Sequence, residues 1–99
     1  MAKVIWSPYA VETYNEIVSY LLKNFGEVSV EKFVRQVDDK IKLIMSSPTM
    51  FRATGKRANT YITNIHKKTT LTYRYNPLTD QVQLIVFWGM QDPEKKLEY

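Results

Sequence analysis

Two stripes of apolar residues at helical spacing dominate the first half of the chain. The first stripe consists of Val11, Tyr14, Ile17, Val18, Leu21, Leu22 and Phe25. The second consists of Val30, Phe33, Val34, Val37, Ile41, Ile44 and Met45. Steps of three and four residues place each stripe on one face of a helix, where it is buried against a core. Because only a short connection around Gly26 separates the stripes, they predict an antiparallel helical hairpin.

The boundaries of both helices carry their own signals. Ser7 supplies an N-cap hydroxyl, and Pro8 stands at the first helical position, where its missing N–H costs nothing. Gly26 ends the first helix, and the second ends before Pro48. A short extended run, Lys3 to Trp6, precedes the hairpin and predicts a strand.

The second half alternates in the manner of strands. Thr60 to His66, Thr69 to Tyr75 and Gln81 to Trp88 are rich in Thr, Ile, Val, Tyr and Phe. Turns at Lys67-Lys68 and at 76–80 predict two antiparallel hairpins. The fold class is therefore α+β, with the helical hairpin packed on one face of a mainly antiparallel four-stranded sheet. The N-terminal strand should pair with a C-terminal one.

The middle strand of the second half shows which side the helices cover. Leu71, Tyr73 and Tyr75 share one face, and Thr70, Thr72 and Arg74 share the other. The apolar face should lie beneath the helices, where Leu21 and Ile44 should both be buried. That leaves a polar face that carries Arg74 and is open to a partner.

Charge is concentrated in one third of the chain. Between Phe51 and Tyr75 there is no acidic residue, whereas the segment holds Arg52, Lys56, Arg57, Lys67, Lys68 and Arg74. Six of the fourteen basic residues are therefore here, and the other eight share the remainder with all ten acidic residues. Such a field attracts a polyanion or an acidic protein. The stretch from Pro48 to Asn59 is long for a loop in a domain of this size, and long loops are often functional.

Composition excludes several classes of site. The chain of 99 residues has no cysteine and a single histidine, His66, so neither a disulfide nor a thiolate metal site is available. We expect no metal and no cofactor. The N-terminal residues lack the apolar run of a signal peptide, and no segment approaches the roughly 20 apolar residues that span a bilayer. A single domain over 1–99, cytoplasmic and without a membrane partner, is expected.

Several motifs resemble one known family, the RelE/ParE superfamily of toxins from bacterial type II toxin–antitoxin systems. They are Val4-Ile5-Trp6-Ser7-Pro8-Tyr9-Ala10, Ile17 with Tyr20, Ser46-Ser47-Pro48, Leu71-Thr72-Tyr73-Arg74-Tyr75, Val86-Phe87-Trp88 and Asp92-Pro93-Glu94-Lys95-Lys96-Leu97. The last two resemble the ending of ParE-like members. No single motif is diagnostic, but their order and spacing cover nearly the whole chain.

The resemblance implies a growth-inhibiting toxin that a cognate acidic antitoxin neutralises. ParE-like members poison DNA gyrase, whereas RelE-like members cleave messenger RNA in the ribosome. RNA cleavage needs a base, an acid and cations. RelE-like toxins place an Arg, His or Tyr close after the last strand, but here that strand ends in Trp88-Gly89-Met90-Gln91, which cannot transfer a proton. The resemblance therefore favours a ParE-like toxin that is not an enzyme. A RelE-like endonuclease is the alternative, and a basic adaptor domain is a third interpretation.

The candidate site residues keep two interpretations each. His66, beside Lys67 and Lys68, is either a general base or a solvated turn residue. Arg74 either binds a phosphate or antitoxin carboxylate, or pairs with an acid such as Asp80. The loop cations Arg52, Lys56 and Arg57 either bind the target or antitoxin, or only add solubility. Apolar anchors for the antitoxin are expected on the helical hairpin and at Ile85 or Phe87.

Overall fold

In a computed structural model, which describes residues 1–66 and 68–89, two helices cover one face of a five-stranded sheet. The elements in chain order are β1 (Lys3–Trp6), α1 (Pro8–Phe25), α2 (Glu27–Ser46), β2 (Arg52–Ala53), β3 (Thr60–His66), β4 (Thr69–Asn76) and β5 (Gln81–Trp88). The α+β class, the helical hairpin and its placement on the sheet agree with the sequence prediction.

The sheet has the order β1-β5-β4-β3-β2. β1 runs parallel to β5, so the N-terminal strand does pair with the C-terminal one, and all other neighbours are antiparallel. The predicted count of four strands was wrong, because Arg52 and Ala53 pair with Ile62 and Tyr61 as a short edge strand. Two residues are too few to show an alternating pattern, so this strand leaves no signal in the sequence.

The predicted start of α1 is confirmed in atomic detail. The Ser7 hydroxyl oxygen accepts a hydrogen bond from the Ala10 N–H at 3.0 Å and donates to the Ile85 carbonyl at 3.0 Å. One side chain thus caps the helix and ties it to β5. At the other end Gly26 ends α1 and directly precedes α2. Its φ of +92° lies in a region of backbone conformation that favours glycine.

Replacing the cap should lower stability measurably. We expect Ser7→Ala to cost roughly 1–2 kcal/mol, because an N-cap bond and a link to β5 are lost together. Urea unfolding followed by circular dichroism measures the difference. Ser46→Ala is the matched control, since the exposed Ser46 hydroxyl only donates to the Lys42 carbonyl within the same helix. Equal stability of the two variants would contradict the capping role.

The core lies between the helices and one face of the sheet. Its fully buried members include Ala10, Ile44, Leu71, Tyr73, Val82 and Leu84. Ile44 is buried as predicted, but Leu21 is only half-buried at the edge of the core. Phe87 was expected as an exposed anchor and is instead buried, because it stacks on Trp6 with ring centroids 5.4 Å apart.

Parts of the two apolar stripes face solvent. Leu22, Phe25 and Val34 are exposed, as is Val28 at the start of α2. The periodicity placed the first three on buried faces, but the helices bury a narrower set of positions, including Ala10, Thr13 and Ile17 on α1 and Phe33, Val37 and Ile44 on α2. Neither described helix is long and apolar enough to cross a membrane.

A buried threonine links α1 to the sheet. The Thr13 hydroxyl donates to the Tyr9 carbonyl at 2.8 Å and accepts from the Phe87 N–H at 2.9 Å. β1 ends at Trp6, opposite Leu84, so Phe87 lies beyond its reach. Thr13 therefore supplies the hydrogen bond that a longer β1 would otherwise make.

Candidate anion-binding site

A pocket of about 290 Å³ lies under the long loop, on the sheet face opposite the helices. We call it the loop pocket. Its described lining residues are Arg52, Thr54, Lys56, Arg57, Thr60, Ile62, Thr72 and Trp88. Three of the six predicted binding cations thus meet in one place. Three threonine hydroxyls add neutral hydrogen-bonding groups between them.

Backbone hydrogen bonds hold the loop over the sheet. The Thr54 N–H donates to the Thr60 carbonyl at 2.9 Å, which closes the loop at its base. The Tyr75 N–H donates to the Asn59 carbonyl at 2.9 Å and ties the loop to β4. Gly55 and Asn59 have φ of +78° and +56°, so the chain turns sharply at both. The three cations are therefore carried on a structured loop.

The residues at the bottom of the loop pocket are buried rather than exposed to solvent. The Trp88 indole N–H donates to the Thr72 hydroxyl at 3.3 Å, and both residues are buried, as is Thr60. The predicted open polar face is therefore correct for Arg74, which is exposed, but wrong for Thr72. The loop approaches this part of the sheet, and loop packing has no periodic signal that would reveal it. The sequence indicated Trp88 as the end of a strand and gave no sign of its place in the loop pocket.

The loop pocket is suited to binding an anion. Its described lining holds two guanidinium groups and one ammonium group, but no histidine, tyrosine, aspartate or glutamate. Arginine binds carboxylate and phosphate through two parallel hydrogen bonds, and lysine adds a point charge. General acid–base catalysis needs groups that exchange a proton near neutral pH, most often histidine or a carboxyl group. The described lining can therefore hold an anion through charge and hydrogen bonds.

His66 lies away from the loop cations. It lines a different pocket of about 250 Å³, together with Leu21, Lys32 and Phe33 from the helices. Lys68 is exposed beside the same turn, and Lys67 lies outside the described residues. His66 and the loop cations therefore do not form one constellation in the described structure.

Arg74 lines a third cavity, a groove of about 470 Å³ that we call the Arg74 groove. Its other described lining residues are Ile5, Asn59, Tyr75, Asn76, Gln81 and Gln83. Asp80, the acid considered as a partner for Arg74, instead accepts a hydrogen bond from the Tyr75 hydroxyl at 2.8 Å. That bond to the carboxylate raises the pKa of Tyr75. Within the described residues, no group of three or more acidic or histidine side chains could hold a metal ion.

Solved structures share this arrangement of two helices and sheet. A chain of the chromosomal ParDE TA system from P. aeruginosa superposes with a TM-score of 0.74 at 11% identity, over 90% of this chain and 96% of that one. The isolated E. coli RelE toxin gives a TM-score of 0.66 at 14% identity, over 99% and 94%. The chain has the RelE/ParE toxin fold.

A third neighbour extends the comparison to a complex. The YoeB–YefM complex from Staphylococcus aureus gives a TM-score of 0.61 at 16% identity, over 89% of this chain and 95% of that one. Neither protein-family models nor curated proteins gave a match. At these identities the RelE/ParE likeness concerns the fold, and the sites must be argued from this chain's own residues.

Proposed function

We propose that this chain is the toxin of a type II toxin–antitoxin system, that it acts by binding a cellular target such as DNA gyrase, and that a cognate acidic antitoxin neutralises it. The fold, shared with ParDE and RelE, supports the toxin role. The observation that carries the mode of action is the loop pocket, whose described lining assembles three cations and holds no histidine, tyrosine or carboxyl group.

The same observation weighs against the RelE-like alternative. Cleavage of RNA requires removal of the 2′-hydroxyl proton and protonation of the leaving oxygen. Among the described lining residues of the loop pocket, Lys56 is the one ionisable group that can lose a proton, and His66 opens into a different pocket. The residues after Trp88 in the sequence, Gly89-Met90-Gln91, supply neither an acid nor a base.

An acidic antitoxin fits the same surface. Like charges held close together repel one another, so the loop cations gain when a negatively charged segment covers them. Charge alone gives fast but salt-sensitive association, and a segment that folds on binding must also bury apolar surface. Exposed Leu22, Phe25 and Val28 at the end of the helical hairpin offer such surface. The ParDE system and the YoeB–YefM complex support a protein partner.

Induction of the chain alone in bacteria tests the proposal. We expect growth arrest with broken DNA and intact messenger RNA. Arg52→Glu combined with Lys56→Glu should relieve the arrest, because reversing two pocket charges weakens binding of an acidic surface by at least about tenfold. Colony counts, DNA gels and RNA sequencing give the readouts.

The matched control is Lys23→Glu combined with Arg35→Glu. These substitutions change the net charge equally, but both residues are exposed on the helices and neither lines the loop pocket. The control should remain as toxic as the parent chain. Efficient codon-specific cleavage of messenger RNA that disappears in His66→Ala would replace the proposal with the nuclease alternative.

A further inference from the structure

The Arg74 groove is built from residues that the loop pocket does not use. Arg74 and Gln83 are partners across β4 and β5, and Gln83 faces Ile5 across β5 and β1. In the next row, Gln81 faces Asn76. Three adjacent strands therefore place a cation, an apolar side chain and several amides on one surface.

The polar groups of this groove are available to a ligand. Within the described part of the chain, the side chains of Arg74, Gln81 and Gln83 make no hydrogen bond to protein. Ile5, at the edge strand, is 45% exposed, although its neighbours Val4 and Trp6 pack against the core. The exposed Ile5 side chain therefore lies on β1, about two strand spacings or roughly 10 Å from β4, the strand that carries Arg74.

The mixture of groups favours a peptide over a nucleic acid. A glutamine amide both donates and accepts hydrogen bonds, and each peptide unit likewise has one donor and one acceptor. The oxygens of a phosphodiester backbone only accept, so a nucleic acid could satisfy the amide carbonyls of the groove only through its bases. The described lining also holds a single cation, Arg74, and the nearby Asp80 carboxylate accepts a hydrogen bond from the Tyr75 hydroxyl. One carboxylate matches this charge better than a row of phosphates does.

The groove continues from the loop pocket. Thr60 lines the loop pocket, whereas the preceding residue, Asn59, lines the Arg74 groove. Thr60 is also the cross-strand partner of Arg74. From β3 to β1 the sheet spans three strand spacings, roughly 14 Å, which about four extended residues can cross.

We infer that the Arg74 groove is a docking site for an extended peptide segment of the protein partner, with one acidic side chain on Arg74, backbone bonds to Gln81 and Gln83, and an apolar side chain on Ile5. This inference rests on the proposed function, because the segment belongs to the antitoxin. It adds a second contact that continues from the loop pocket across the sheet.

A synthetic peptide and the purified chain test the inference. The probe is a peptide of about ten residues that alternates valine and threonine around one central glutamate, and its twin carries glutamine instead. Titration into ¹⁵N-labelled protein should shift the side-chain amide signals of Gln81 and Gln83. The glutamate peptide should bind about fivefold more tightly than its twin. Arg74→Gln should remove that difference.

Arg35→Gln serves as the matched control, because it deletes one exposed guanidinium group from α2 and leaves both the loop pocket and the groove intact. It should preserve the fivefold preference. Equal affinity for both peptides, or shifts confined to residues 52–57, would overturn the inference. Tighter, Arg74-dependent binding of single-stranded oligo-dT would also overturn it in favour of a nucleic acid. None of these results depends on toxicity, so failure here is distinct from failure of the proposed function.

Discussion

Ile44→Ala should destabilise the protein by about 2–5 kcal/mol. Ile44 has no exposed surface and belongs to the buried core cluster between the helices and the sheet. Truncation to alanine loses the transfer free energy of the removed methyl and methylene groups and leaves a cavity that the neighbours fill only in part. Since small domains are stable by only about 5–15 kcal/mol, a loss of this size is a large fraction of the total.

The control for Ile44→Ala is its neighbour in the sequence. Leu43 is 47% exposed, so Leu43→Ala should cost less than about 1 kcal/mol. Both variants introduce alanine into the same helix, so the difference between their losses in stability reports mainly on the burial of the original side chain. Chemical unfolding, fitted with the same m-value for both variants, measures this difference in stability. Equal losses in the two variants would show that α2 packs on the sheet through another face.

Thr13→Val should cost roughly 1–3 kcal/mol, although the side chain keeps its shape. The substitution removes the hydroxyl that accepts from the Phe87 N–H and leaves this buried donor without a partner. The missing bond lies between α1 and β5, so its effect should extend beyond the helix. Hydrogen exchange of the Phe87 amide should accelerate along with the loss in global stability.

Thr13→Ser separates the hydrogen bond from packing. Serine keeps the hydroxyl and loses one methyl group, which is worth about 0.8 kcal/mol when buried. We expect slow exchange at Phe87 in Thr13→Ser and fast exchange in Thr13→Val. If valine preserved the slow exchange, the Phe87 N–H would have another acceptor and the link from α1 to β5 would not depend on Thr13.

Local signals in the sequence were sufficient for both helices and for four of the five strands. Ser7 and Pro8 located the start of α1, and Gly26 located the break between the helices, because capping depends on a few neighbouring atoms. Alternation in β4 correctly separated Leu71 and Tyr73, which lie under the helices, from Arg74. The motif order indicated the RelE/ParE toxin fold, which the structural neighbours share.

Tertiary structure alone decided how the cations are grouped. In the sequence Arg52 to Arg74 form one basic segment that contains no acidic residue. In the fold Arg52, Lys56 and Arg57 share the loop pocket, Arg74 lines a neighbouring groove, and His66 lies in a pocket against the helices. Contacts between strands and a nonperiodic loop depend on long-range pairing, which neither composition nor periodicity records.

The burial of Thr72 and Trp88 and the contact of Thr13 with Phe87 have the same origin. Each contact joins residues that are far apart in the chain, and no local sequence pattern distinguishes these threonines or the tryptophan from others in a helix or strand. The sequence by itself determined the two helices, four of the five strands and the segment that carries the positive charge. Only the folded sheet determined which charges cooperate, because pairing and packing bring distant residues within hydrogen-bond distance.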